Sequence, residues 1–172
     1  MDLAKFIRDV PDFPVKGVLF KDITTLVKNP QALREAVDAL IEPYRDREID
    51  LVAAIESRGF IFGAPVAYAL GAGFVPVRKL GKLPAEKINA SYTLEYGAET
   101  LEMHMDAIQP GQKVLIVDDL IATGGSAKAA AKLVEQLGGE VVGIAFLIEL
   151  SFLRGRDKLE GYDLFSLIQY EE

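Results

Sequence analysis

Twice along the chain, a short and almost unbroken apolar run passes through a turn into a helix-forming stretch and then into a second apolar run. Leu51–Ile55 leads through Glu56-Ser57-Arg58-Gly59 into Phe60–Leu70 and, after Gly71-Ala72-Gly73, into Phe74–Val77. Lys113–Val117 leads through Asp118–Ser126 into the alanine-rich Ala127–Leu137 and, after Gly138-Gly139, into Val141–Ile148. Strands without polar alternation must be covered on both faces. Two strand–helix–strand units of this kind therefore predict an α/β fold, with a mainly parallel central sheet flanked by helices. Leu164–Ile168 is expected as a last strand. Upstream, Leu33, Ala36, Val37, Leu40, Ile41 and Tyr44 recur at helical spacing behind Asn29 and Pro30, and Pro43 predicts a kink or an end to that helix. The 172 residues are the length of a single domain.

Between the two units the pattern changes. Lys79–Ala90 is polar and predicts a loop, and Ser91–Tyr96 and Thr100–Met105 alternate in polarity around Gly97, as an antiparallel hairpin does. Leu101, Met103 and Met105 should share one face; Glu102, His104 and Asp106 should share the other, solvated one. Long insertions of this type are where lids are found, so residues 79–106 are expected to form a flap.

Composition narrows the function. Twenty-six acids against 19 bases give a net charge of −7, which argues against nucleic acid as a partner. The chain has no cysteine, which removes disulfides, thiolate metal sites and thiol catalysis, and one histidine, His104, which falls in no motif. Met1–Lys5 carries no charged-then-apolar signal pattern, and no apolar run nears the roughly 20 residues of a membrane span. The expectation is a cytoplasmic protein with no membrane partner.

The chemistry is concentrated in Val114–Ser126. Four apolar strand residues deliver Asp118 and Asp119 to the carboxyl edge of the sheet, where open α/β sheets bind ligands. Gly124 and Gly125 let backbone amides converge, Thr123 and Ser126 add hydroxyls, and the following helix offers its positive N-terminal end. These features form an anion cradle sized for a phosphate monoester. Carboxylates beside a phosphate need donors to face, and a ribose diol supplies two. The segment lacks the Lys-Ser/Thr pair of a Walker A loop and is not G-x-G-x-x-G.

These thirteen residues resemble the phosphoribosyl pyrophosphate (PRPP) signature of type I phosphoribosyltransferases. Further blocks make the chain similar to the adenine phosphoribosyltransferase family: Pro11-Asp12-Phe13-Pro14, Gly17–Ile23, Glu56–Phe60, Arg78–Pro84, Ser91–Gly97 and the tail Ser166–Glu171. The resemblance implies a small N-terminal hood, about residues 1–35, and a Mg²⁺-dependent purine-salvage reaction in which adenine and PRPP give AMP and pyrophosphate. It implies that Ala122, Thr123, Gly124, Gly125 and Ser126 hold the 5′-phosphate and that Asp118 and Asp119 hold the ribose hydroxyls. Ser57, Arg58, Arg78, Lys79 and Lys82 would serve pyrophosphate; Leu19, Phe20 and Arg58 would serve adenine. A cis peptide is typical of the Glu56–Gly59 turn in this family. Glu95 would be the acid/base near purine N7, with Arg58 also catalytic, and Tyr96 would close the flap. Mg²⁺ would arrive on PRPP with no direct protein ligand, at most touching Asp118 through water. Arg78 would reach a neighbouring subunit's site, implying a homodimer. Two relatives of this reading remain open: an enzyme for 6-oxopurines, and a non-catalytic PRPP sensor. The sensor would need a basic DNA-binding module, and the Glu95-Tyr96 flap argues for turnover. A receiver-like phosphoacceptor domain also places acids at strand ends, but needs no Thr123–Ser126 loop.

Overall fold

The computed structural model describes residues 1–94 and 97–172. A two-stranded antiparallel ribbon, β1 (Arg8–Pro11) and β2 (Leu19–Asp22), forms the hood and is followed by the short α1 (Thr24–Val27) and by α2 (Pro30–Ile41). Asn29 caps α2, its side-chain oxygen accepting from the amides of Gln31 and Ala32. The helix stops ahead of Pro43, which sits in a 3₁₀ turn, Glu42–Tyr44.

Next come β3 (Leu51–Ile55), α3 (Arg58–Leu70), β4 (Gly73–Lys79), the hairpin β5 (Lys87–Leu94) and β6 (Gly97–His104), β7 (Lys113–Ile121), α4 (Gly125–Gln136), β8 (Glu140–Leu150) and β9 (Leu164–Tyr170). Among the described residues the main sheet has the order β5-β6-β4-β3-β7-β8-β9; β4, β3, β7, β8 and β9 run parallel, and the hairpin joins antiparallel at one edge. Along β7, Leu115 and Val117 pack toward α2 and α3, while Val114 and Ile116 pack toward α4, so both faces are core, as an unalternating strand requires. The small side chains of Ala127, Ala130 and Ala131 bring α4 close to the sheet.

Expectations are corrected at four points. β7 does not end at Val117: it runs to Ile121, so Asp118 and Asp119 are strand residues, with Asp118 opposite Phe146 of β8. Ladder pairing with a buried neighbour outweighs the turn preference of aspartate. The hairpin is longer than expected, because β5 begins at Lys87 and takes in the last four residues of the polar stretch read as loop. Finally, Glu102 is buried, not solvated. The segment after β4 folds back on β6, where the Glu102 carboxylate accepts from Gly81 N at 2.8 Å, and half-buried His104 accepts at Nε2 from Ala85 N at 3.4 Å. Leu101 and Met103 are buried as expected, but Met105 lies past the strand end and is exposed.

Charged contacts fasten the hood. Lys21 pairs with Asp9 at 2.7 Å and lies 4.0 Å from the Tyr170 ring centroid, tying β2 to β9. Asp22 accepts from Thr24 N at 2.9 Å and from Arg8. The Thr24 amide, then the Arg8 guanidinium and the Thr24 hydroxyl, hold its carboxyl down at about 2 against 3.8. A folded-state pKa below the unfolded one gives stability that is present above pH 3.8 and lost as pH falls toward about 2. Asp22→Asn should therefore lower Tm at neutral pH by a few degrees, with the gap to the parent closing across that window, as read by thermal melts on a pH series.

Candidate active site

At the carboxyl edge of the sheet, β7, the turn after it and the first turn of α4 line a cleft of about 260 Å³, closed on one side by the hairpin. Gly124 makes the turn, with φ 87°. Only glycine fits there, because a Cβ would meet a left-handed backbone penalty and would lie 2.5 Å from the carbonyl oxygen of Gly155. The helix then starts at Gly125 with its free amides facing the cleft, the geometry that binds phosphate. Thr123 is exposed and Ser126 half-buried, so both hydroxyls are available to a ligand.

The two carboxylates are almost fully removed from water, Asp118 at 6% and Asp119 at 7% exposure. Asp118 Oδ1 accepts from Asp119 N at 2.8 Å and packs beneath the first turn of α3, where a Cβ on Gly59 would lie 2.8 Å from it. Asp119 Oδ2 accepts from Arg58 Nε at 2.6 Å. The Arg58 guanidinium in turn sits 5.4 Å from the Phe20 ring centroid, and Phe20 meets Phe13 edge-on at 5.0 Å. One arginine thus bridges the acids at the end of β7 and an aromatic shelf in the hood. The peptide between Glu56 and Ser57 is cis.

The family model of the phosphoribosyl transferase domain matches residues 22–169. Adenine phosphoribosyltransferase of Desulfitobacterium hafniense is 59% identical over 99% of this chain and 98% of its own, and that of Thermotoga maritima is 60% identical over 99% and 98%. The chain belongs to the adenine phosphoribosyltransferase family. Among solved structures of that family, the enzyme of Thermoanaerobacter pseudethanolicus superimposes with a TM-score of 0.96 at 56% identity, covering 98% of each chain. The enzyme of Saccharomyces cerevisiae, solved with an imino-altritol bisphosphate and adenine, gives 0.91 at 46% identity, covering 96% of each.

Against this family's pattern, the residues read from sequence fall into three groups. Asp118, Asp119, Ala122–Ser126, Arg58 and Lys79 share the cleft. Leu19 and Phe20 lie apart from it on the hood, Leu19 48% exposed, with Arg58 as the link. Ser57, Arg78 and Lys82 do not line the cleft; Arg78 turns to Glu56, its Nε 3.2 Å from Oε1 and its guanidinium 6.0 Å from the Phe60 ring. Glu95 and Tyr96 lie outside the described residues.

Two cleft residues were given no role by the sequence. The Tyr92 ring lies where a side chain on Gly125 would go, and its hydroxyl donates to Glu99 at 2.9 Å. Glu99 also pairs with Lys79 at 3.4 Å. Only the hairpin register, which sets Tyr92 opposite Glu99, brings them together. Burial, then the bond to Glu99, pushes the Tyr92 phenol well above its ordinary value.

Burial first, then the neighbouring Asp119, pushes the Asp118 carboxyl well above the usual range. A folded pKa above the unfolded one costs stability as pH rises past 3.8, because the folded chain holds a proton that the unfolded chain releases. Asp118→Asn keeps the acceptor for Asp119 N and removes the charge. It should raise the Tm of the ligand-free protein at neutral pH by a few degrees while weakening PRPP binding at least about tenfold, the loss of a charge-assisted bond. Melting curves and PRPP titration of the same variant check both signs.

Proposed function

We propose that this cleft holds PRPP by both ends and positions its C1′ for attack by adenine, with the 5′-phosphate on Ala122–Ser126 and the ribose hydroxyls on Asp118 and Asp119. The observation that carries the reading is the juxtaposition, within one cleft, of an amide-lined helix start and two buried carboxylates. One binds an anion and the other binds paired hydroxyl donors, and a phosphorylated pentose presents both. The enzyme is a pentosyltransferase of purine salvage: the C1′–N9 bond of AMP forms, the C1′–oxygen bond to diphosphate breaks, and pyrophosphate leaves.

The residues divide the work. As the leaving group departs, positive charge grows on the ribose, and the carboxyl oxygens of Asp118 and Asp119 facing its hydroxyls stabilise it. The diol hydroxyls need acceptor oxygens, so they replace Arg58 on Asp119 and free its guanidinium for the base and the diphosphate. Lys79, released from Glu99, and Ser57, Lys82 and Arg78 supply the remaining cationic and amide contacts to diphosphate. Leu19 and Phe20 offer adenine an apolar face beside Arg58. Glu95 manages the proton at purine N7, and Tyr96 shields C1′ from water, which would otherwise hydrolyse the donor. The hard carboxylate oxygens of this cleft suit Mg²⁺ held through water, and among the described residues no group of three or more potential ligands forms a cage. Bound with PRPP, Mg²⁺ supplies charge neutralisation of the leaving diphosphate. Because the phosphorylated donor cannot cross a membrane unaided, the reading places the enzyme in the cytoplasm.

A homodimer completes the proposal. Tyr68 at 90% exposure, Ile61 and Phe74 are large apolar side chains left exposed on α3 and β4, and Arg78, on the same strand as Phe74, does not line its own cleft. Light scattering should return twice 18.8 kDa, and Ile61→Glu with Tyr68→Glu should return the single mass. A monomeric parent protein contradicts the assembly.

An assay of PRPP and Mg²⁺ with adenine, hypoxanthine, guanine and xanthine in parallel tests the function. Nucleotide from adenine alone is expected; nucleotide from a 6-oxopurine instead contradicts it. In the same assay Glu95→Leu should lower kcat by about 10²-fold or more, the typical share of a general acid or base, with little change in PRPP binding. Unchanged kcat removes Glu95 from the chemistry.

A further inference from the structure

The tail block beginning at Ser166 contributes nothing to the lining of the cleft, yet it is joined to the phosphate loop through a chain of contacts. Glu149, near the end of β8, stands opposite Ile121, the last residue of β7 before the loop. Its side chain is 5% exposed, and its carboxylate accepts from Arg156 Nε at 3.0 and 2.8 Å and from Ser166 Oγ at 2.6 Å. Gln169 Nε2 donates to the same Ser166 oxygen at 3.1 Å. Burial works to raise the Glu149 pKa, and the Arg156 and Ser166 bonds outweigh it, leaving the carboxyl below its usual range. A buried acid this fully answered is a fixed point in the structure.

What it fixes is Gly155. The residues after β8 form two 3₁₀ turns, Ser151–Leu153 and Gly155–Leu159, in which only Gly155 and Leu159 are buried. Gly155 lies directly under the phosphate loop: a Cβ on it would come within 2.6 Å of the Ala122 carbonyl oxygen and 2.8 Å of Ile121 Cγ1. A Cβ on Gly124 would likewise meet Gly155 O at 2.5 Å, so the two backbones touch with no side chain between them. Arg156, the next residue, is the tether that holds this contact to β8 and β9.

We propose that Glu149, Arg156 and Ser166 form a clamp that positions Gly155 as the floor of the phosphate loop, and that this clamp sets the affinity for the 5′-phosphate of donor and product without touching the adenine side of the site. The three are positioning residues; none lines the cleft. The physical basis is preorganisation. Amides already aimed at an anion lose little freedom when it binds, whereas a loop without its floor must be ordered by the ligand. The proposal rests on the reading that this loop takes the phosphate.

Steady-state kinetics of Arg156→Met, Ser166→Ala and Arg156→Lys, beside the loop variant Ser126→Ala and with a melting curve for each, separate the possibilities. The KM for PRPP should rise about tenfold in Arg156→Met and about threefold in Ser166→Ala, with kcat and the KM for adenine within about twofold of the parent. Arg156→Lys, which retains a donor to Glu149, should recover part of the loss, and ribose 5-phosphate should compete more weakly in the same order. A lowered Tm with an unchanged KM for PRPP, or equal rises in both KM values, overturns the clamp as a positioning device. If Arg156→Met does not fold, Ser166→Ala decides alone. Should Ser126→Ala leave the KM for PRPP unaltered, the phosphate assignment of the loop fails instead.

Discussion

Two adjacent carboxylates held out of water at the end of a parallel strand are the constraint around which this molecule is arranged. Burying one aspartate is costly and burying two side by side is more so, because each disfavours the charge of the other. The fold partly offsets this with Arg58, brought onto Asp119 at 2.6 Å, while the first turn of α3 packs over Asp118 and shuts it from water. Both come from the turn after β3, the strand next to β7, so the parallel pairing of β3 with β7 sets the acids against their counter-groups. A ligand with paired hydroxyls can then take over part of that task.

Arg58 gives the site its coupling. Its guanidinium touches the acid pair and lies near the hood's Phe20, while the hood is anchored on the far edge of the sheet through Lys21 and Tyr170. Similarly, Lys79 and Tyr92 meet at Glu99, so the hairpin is tied to the cationic side of the cleft. The cations of the cleft are thus held by carboxylates, Arg58 by Asp119 and Lys79 by Glu99.

Much of the architecture was legible because the central strands are apolar on both faces and the turns between units carry glycine. The turn at Ala122–Ser126 was legible for the same reason: two glycines directly after a strand and before a helix place it at the cleft. What escaped the sequence depended on contacts between distant segments. Asp118 and Asp119 look like turn residues and became strand residues through pairing with β8. Glu102 looked solvated until the loop after β4 folded over it. Gly155, in a stretch with no periodic pattern, lies under the phosphate loop through a backbone contact that no side-chain spacing encodes. Arg78, Lys79 and Lys82 lie close together in sequence, yet of the three only Lys79 lines the cleft; Arg78 bonds to Glu56 and lies over Phe60, and Lys82 lies beyond the end of β4.

A crystal structure of the protein with AMP bound tests the central claim most directly. The phosphate oxygens should lie about 3 Å from the amides of residues 123–126, with the ribose hydroxyls at similar distance from the Asp118 and Asp119 carboxylates and Arg58 withdrawn from Asp119. A nucleotide seated elsewhere, with the Arg58–Asp119 pair intact and the loop unoccupied, would contradict the account.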